Sequence, residues 1–287
     1  MTVSVSVQAL RGGVKLEILT PIFFCDLTCD LMSVDLIIPV VEHEVFPNPP
    51  LKAMLGQVRF PTVLRIADLG SLGPFQEAIR GEFPTYREEQ QVILVVGPHG
   101  PQAPHAQRAH RFVTKNQAWN ILLTPDAVTL EADVAAGYAS YDEFALRFRL
   151  VWQALLTNFS PSQVERQGLR YVDHIEGDHT APEWAAFINP ELLGSLVERF
   201  GDKISQSASE VRLTRDDGVL VFKHGMLPIG PSSTCGYLLD FDYFIEEPQD
   251  DTSLEAVMDR FDGYHQMLYS MFRWCVTDAA LDGFRAA

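Results

Sequence analysis

Residues 166–179 read RQGLRYVDHIEGDH, and how this stretch folds decides the architecture. Its first part, GLRYVDHI (168–175), alternates like a β-strand. Leu169, Tyr171, Asp173 and Ile175 fall on one face, and Arg170, Val172 and His174 on the other, because successive side chains of a strand point to opposite sides. Asp173 and His174 therefore cannot ligate one ion from a regular strand. Glu176, Asp178 and His179 on the exit loop carry oxygen and nitrogen donors of the type a metal takes. The plainer reading is a solvated loop, and we expect no metal site.

Downstream, Asn189-Pro190 opens the helical stretch PELLGSLVERF; proline suits the first helical turn, where its missing N–H has no partner to lose. EVRLTR (210–215), GVLVFKH (218–224) and GYLLDFDYFIEE (236–247) read as three strands. Thr252-Ser-Leu-Glu255 has the form of a capping box. It starts a helix with Leu254, Val257, Met258, Phe261, His265, Leu268 and Phe272 on one side, the spacing of an amphipathic stripe.

The same order runs upstream. LKAMLGQVRF (51–60) is strand-like, and Gly73-Pro74 opens PFQEAIRGEFP, with Phe75, Ala78, Ile79 and Phe83 at helical spacing. QVILVV (91–96) is a continuous apolar run, expected to be buried on both faces. The segment 97–109 is rich in Gly, Pro and His and reads as a loop. His99, His105 and His110 are too unevenly spaced to nominate a metal site. HRFVTKNQAWNILLT and AVTLEA read as two strands joined by a turn at Pro125-Asp126. Ser140-Tyr-Asp-Glu143 is a second capping-box pattern, ahead of a helix carrying Phe144, Phe148, Trp152, Leu155 and Phe159 on one face.

The helix-opening prolines and the capping boxes recur at an offset of roughly 115 residues, the mark of a structural duplication. The expected fold class is α+β: two pseudo-repeated β-α-β-β-β-α halves, 32–160 and 161–287. Together they form one broad, curved antiparallel sheet with four helices on one face. The topology is analogous to the TBP-like and helix-grip architectures, and fold does not fix function.

The 287 residues are 47% hydrophobic and carry a net charge of −16, with 38 acidic against 22 basic side chains; the pI is about 4.8 and the mean hydropathy +0.02. That is enough apolar material for one large core and argues against a disordered chain. No basic stretch supplies the footprint that phosphate contacts require, so direct nucleic-acid binding is not expected. The acidic surface suits solubility, or a basic partner. Four cysteines, Cys25, Cys29, Cys235 and Cys275, form no CxxC pair. Cys275 sits in a helical apolar pattern as a reduced thiol, and a reducing cytoplasm is expected. No apolar run reaches the roughly 18 residues that a membrane span needs.

Residues 1–31 lack the clear period and caps of the rest of the chain, and then comes MSVDLIIP. We read them as an N-terminal extension, with Met32 as the biological start. The competing reading takes VSVSVQAL and VKLEIL as alternating strands.

NPPLKAMLGQVRFPTVLRI, FQEAIRGEFP, RQGLRYVDHI, YLLDFDYFIEE and FDGYHQMLYSMFRWCVTD together resemble a sporadically distributed prokaryotic family of uncharacterised proteins defined by a sequence profile. The resemblance covers roughly residues 45–284, short of the extension, which supports a start at Met32. Arg170 of GLRY, the LLDFDYF strand and His265 match its pattern; Asp173, His174 and the EGDH tail depart from it. The resemblance implies no activity.

Asp240 and Asp242 share one strand face. A D-x-D pair can hold a divalent cation, but pairing with Arg or Lys on neighbouring strands is the preferred reading. His265, alone on an apolar helix stripe, reads as a packed, hydrogen-bonded core residue. Ser232 and Ser233 in GPSSTCG lie in a turn without a nucleophile motif. No serine-hydrolase elbow, zinc-protease helix, phosphate loop or dinucleotide fingerprint is present. The sequence therefore nominates no catalytic residue, no metal and no cofactor. Alternation places Arg59 (with Gln57), Arg170, His174, Arg212, Asp240 and Asp242 on the open side of the sheet, and these six are the candidate binding residues. The expected function is a non-enzymatic cytoplasmic binding or protein-interaction module, of the kind a mobile or defence-type gene cluster carries. The alternative is a small-molecule sensor or enzyme with a polar pocket on the open face. The partner is thus an unknown protein or a small molecule, with no membrane role.

Overall fold

The computed structural model describes residues 3–10, 13–16, 38–97, 100–101, 105–137, 140–177, 179–229 and 234–286. The expectations that concern Cys25, Cys29, Met32, His99, Asp178, Ser232 and Ser233 lie outside the described residues. Among the described residues twelve strands form one antiparallel sheet. In chain order they are β1 (Val3–Leu10), β2 (Gly13–Leu16), β3 (Leu51–Arg59), β4 (Thr85–Gly97), β5 (Gly100–Pro101), β6 (His105–Val113), β7 (Trp119–Thr124), β8 (Ala127–Asp133), β9 (Arg166–Glu176), β10 (Ser209–Arg215), β11 (Gly218–Ile229) and β12 (Thr234–Ile245). Five α-helices accompany them among the described residues: α1 (Leu69–Ile79), α2 (Tyr141–Phe159), α3 (Pro190–Phe200), α4 (Leu254–Cys275) and α5 (Asp278–Arg285). The class is α+β, and α5 is a helix beyond the four expected.

The sheet order is β10-β11-β12-β9-β3-β8-β7-β6-β4-β1-β2, with β5 beside β4. From the central β3–β9 pair it runs outward through β12, β11 and β10 on one side and through β8, β7, β6 and β4 on the other. β9 is thus an internal strand, with Asp242 opposite Arg170 on one flank and Leu55 opposite it on the other. The alternating stretch VSVSVQAL forms β1, antiparallel to β4.

One face of the sheet is dry. Leu169, Tyr171 and Ile175 of β9 are buried, as are Tyr237, Leu239, Phe241 and Tyr243 of β12. They pack beneath α4 with Phe261 and Leu268. The stripe Phe144, Phe148, Trp152, Leu155 and Phe159 of α2 is buried throughout. The Phe144 ring of α2 lies directly on Gly56 of β3: a Cβ there would lie 2.7 Å from Phe144 Cε2 and still nearer its Cζ. Only a glycine lets that ring rest on the backbone.

Several local expectations are corrected. α1 starts at Leu69, not at Pro74; Asp68 caps it by accepting from the Ser71 N–H at 2.9 Å, and Pro74 lies inside the helix. The segment 110–124 is not one strand. It breaks between β6 and β7, where the Thr114 hydroxyl accepts from the Trp119 N–H, Asn116 Oδ1 accepts from the Thr114 hydroxyl, and Gln117 adopts φ 61°. The first half therefore carries more strands than expected, and part of the supposed 97–109 loop is strand. α2 begins where expected, but the Ser140 side chain makes no cap bond. α4 is capped by Ser253, whose Oγ accepts from the Ala256 N–H at 3.3 Å, not by Thr252. α3 starts at Pro190, with Asn189 Oδ1 accepting from the Glu191 N–H. Among the described residues no helix is long and apolar enough to cross a membrane.

Candidate functional site

The open face carries ion pairs laid across the central strands. Arg170 grips Asp240 with two bonds, Nε to Oδ1 at 2.8 Å and Nη2 to Oδ2 at 2.7 Å. Arg166 reaches Asp242 at 3.1 Å, and its guanidinium lies over the Phe244 ring at 4.2 Å. Arg212 approaches the same ring at 5.5 Å, so two cations share one aromatic ring. Gly168 makes the arrangement possible, because a Cβ there would sit 2.9 Å from both Arg166 Nη1 and Phe244 Cβ. Lys223 pairs with Glu210 at 3.2 Å at the next register step.

Of the six candidates, the fold joins Arg170 to Asp240 directly, and links Asp242 and Arg212 through Arg166 and Phe244. Arg166 was not among them. It shares the alternating face of Arg170, and starting the strand at Gly168 hid it. Arg59 stands apart: it is exposed, directly opposite Arg166 in register, and joins no ion pair among the described residues. His174 is separate too. It borders a cavity of about 290 Å³ with Lys52, Glu176 and His179. Burial and the nearby Lys52 hold its imidazole below the usual range. Asp240 and Asp242 each answer an arginine, and among the described residues no group of three or more His, Cys, Asp or Glu could hold a metal ion.

A second constellation lies on the helix side, at the end of β9. Residues 38–50 cross α4 and α5 as a strap. The Glu44 N–H donates to the Tyr269 hydroxyl at 2.9 Å, and the Glu44 carboxylate accepts from Arg285 at 2.7 and 2.8 Å. Phe46 packs on Phe272 and Phe284, and the Asn48 N–H donates to the Phe284 carbonyl. Under the strap is a cavity of about 80 Å³ whose lining includes His43, Phe46, Tyr171, Asp173, His265 and Tyr269.

Its polar groups are unusual for a core. Tyr171 Oη and His265 Nδ1 share a hydrogen bond of 2.7 Å. Tyr141 stacks on the His265 ring at 4.0 Å, nearly parallel, and His43 meets both His265 and Tyr269 edge-on at 4.7 and 4.6 Å. Burial, with His43 adding to it, drives the His265 pKa down to about 3, so the ring is neutral. Asp173 occupies the core-facing row of β9 and is only 5% exposed. Among the described residues no hydrogen bond or ion pair reaches its carboxyl, and the charge acting on it is a like charge, Asp240 across the sheet. Burial first and Asp240 second raise its pKa to about 8. Cys275, a free buried thiol nearby, is pushed well above its usual range by burial and by Asp173.

The sequence put Asp173 on the buried face and His265 on the apolar stripe, but read neither as a site. Their signal was an acid and an imidazole at positions that otherwise alternate apolar. The cavity itself depends on the strap, which has no periodicity to read.

The chain matches no protein-family model and no curated protein sequence.

Proposed function

We propose that this is a non-enzymatic binding protein of the cytoplasm whose ligand is a small molecule held in the cavity beneath the strap. One observation carries the reading: the buried Asp173 carboxyl, which no hydrogen bond or ion pair reaches among the described residues, lines a cavity together with several aromatic residues. An unpaired buried acid is costly, and strongly shifted ionisable groups cluster at functional sites. The open-face pairs satisfy one another and read as structural pairing across the sheet, with the exposed Arg59 and Arg212 left for contacts with other molecules.

A second reading, an enzyme with Asp173 as a general acid, is favoured by the proton this carboxyl retains near neutral pH. The first reading is preferred because nothing in the sequence nominates a nucleophile. The strand order outward from β3 and β9 supports a duplication of two β-α-β-β-β-α halves and, by analogy alone, the TBP-like and helix-grip comparison. The resemblance to the sporadic prokaryotic family stands as part of the same proposal.

The test is a thermal-shift screen of small metabolites on the wild type and on Leu51→Trp, which fills the cavity because Leu51 is part of its lining. Ligands that stabilise the wild type and lose their effect in Leu51→Trp support the reading. If every hit acts equally on both proteins, the cavity is not the site.

A further inference from the structure

We infer that the cavity beneath the strap takes a small organic ammonium ion, held by aromatic faces and by the Asp173 carboxylate. This deepens the proposed function and rests on it.

Charge selects the class of ligand. The groups around Asp173 are His265, Tyr269 and Cys275 from α4, His43 and Glu44 from the strap, Tyr171 on β9 itself, and Asp240 across the sheet. None of them brings a positive charge to the carboxyl. His265 is neutral, and burial lowers His43 as well, against a smaller opposing pull from Asp142. The nearby arginines are spent elsewhere: Arg285 and Arg273 both engage Glu44, at 2.7 and 3.5 Å. Among the described residues lining the cavity, an anionic ligand would meet two acids, Glu44 and Asp173, and no lysine or arginine. A neutral ligand would meet the protonated acid and bring no counter-charge to its ionised form.

Shape points the same way. Tyr171, His265, Tyr269, Phe46 and His43 line a space of about 80 Å³. Rings around one carboxyl are the recognition chemistry of ammonium groups, whose charge is drawn to the ring face. The volume limits the guest: liquid water takes roughly 30 Å³ per molecule, so only a few non-hydrogen atoms fit.

Binding is coupled to a proton. In the empty cavity burial keeps the carboxyl protonated up to about pH 8. An ammonium ion binds the ionised form, so its arrival expels the proton to solvent. With half the acid ionised at pH 8 and about one part in a hundred at pH 6, apparent affinity falls roughly 50-fold between them.

The test follows the side-chain NMR signals of His43 and His265 during titration with methylammonium, dimethylammonium and tetramethylammonium chlorides. Acetamide and sodium acetate are the neutral and anionic arms, and a blocked trimethyllysine peptide is the macromolecular one. Saturable shifts from one or more of the free ammonium ions are expected. They should weaken by about 50-fold from pH 8 to pH 6 and by at least tenfold in Asp173→Asn. That variant keeps the shape of the side chain and loses its charge. Binding that is equal at both pH values, or unchanged in Asp173→Asn, overturns the inference. So does binding by the peptide without the free ions. If acetamide or acetate shifts these signals and no ammonium ion does, the cation assignment fails while the cavity remains a ligand site. If no probe shifts them and the Leu51→Trp screen is also blank, both readings fall.

Discussion

Replacing Asp173 by asparagine should remove a pH dependence from the stability of the whole domain. The carboxyl ionises near pH 4 in an unfolded chain and at about pH 8 in the fold, so the folded state binds the proton more tightly. The resulting stability is fully present below about pH 4 and is lost as pH rises toward 8, at up to about 1.4 kcal/mol per pH unit. Four such units set an upper limit of about 5.5 kcal/mol; relaxation and water penetration around a buried charge bring the expected effect to about 2–3 kcal/mol. Asparagine has the same shape and never ionises. His43, His174 and His265 have lowered pKa values and work in the opposite sense, losing stability as pH falls, but they are common to both proteins and cancel in the comparison. Urea unfolding followed by circular dichroism at pH 5, 6, 7 and 8 measures the difference. Asp173→Asn should gain on the wild type at each step and level off above pH 8. A difference constant to within about 0.5 kcal/mol across the series, the ordinary size of a surface substitution effect, would refute the assignment of a buried, unpaired acid.

Arg170→Ala strands the nearly buried Asp240 carboxylate. It should destabilise by about 2–3 kcal/mol, reduced from a fully buried pair because the guanidinium is 36% exposed; the swap Arg170→Asp with Asp240→Arg should recover part of the loss in denaturant melts. Gly56→Ala drives a methyl into Phe144, a ring hemmed in by Phe148 and Phe261 at 5.5 Å each, and should lower stability by about 1–3 kcal/mol. Ser253→Ala removes a cap and should lower stability by about 1 kcal/mol, while Ser140→Ala, whose hydroxyl caps nothing, should leave the melting temperature unchanged.

The faces of β9 and β12 were legible because a sheet buried on one side enforces a strict two-residue period. Leu169, Tyr171, Tyr237 and Phe241 all fall on the dry side for that reason, and Arg170 meets Asp240 on the other. Punctuation was less reliable where side chains replace glycine and proline. The break at 114–118 is built from Thr114, Asn116 and a left-handed Gln117; Asn116 was its one turn signal, with no glycine or proline beside it. Pro74 imitated a helix start, while the true cap was the aspartate at 68. The acid at 173 was placed on the correct face, but a partner's absence cannot be seen in a linear chain. What surrounds it comes from residues 38–50, α4 and the end of β9, and only the fold brings these together.

The central pairing of β3 with β9 also bears on how the molecule is made. β3 ends at Arg59 and its partner begins at Arg166. A ribosome adding about 5–20 residues per second needs roughly 5 to 20 s to deliver the chain between them. Throughout that interval the nascent first half carries a bare hydrogen-bonding edge along β3, the kind of edge that recruits another chain. Polysomes hold neighbouring copies at the same stage, so self-pairing along β3 competes with completion of the sheet until β9 emerges.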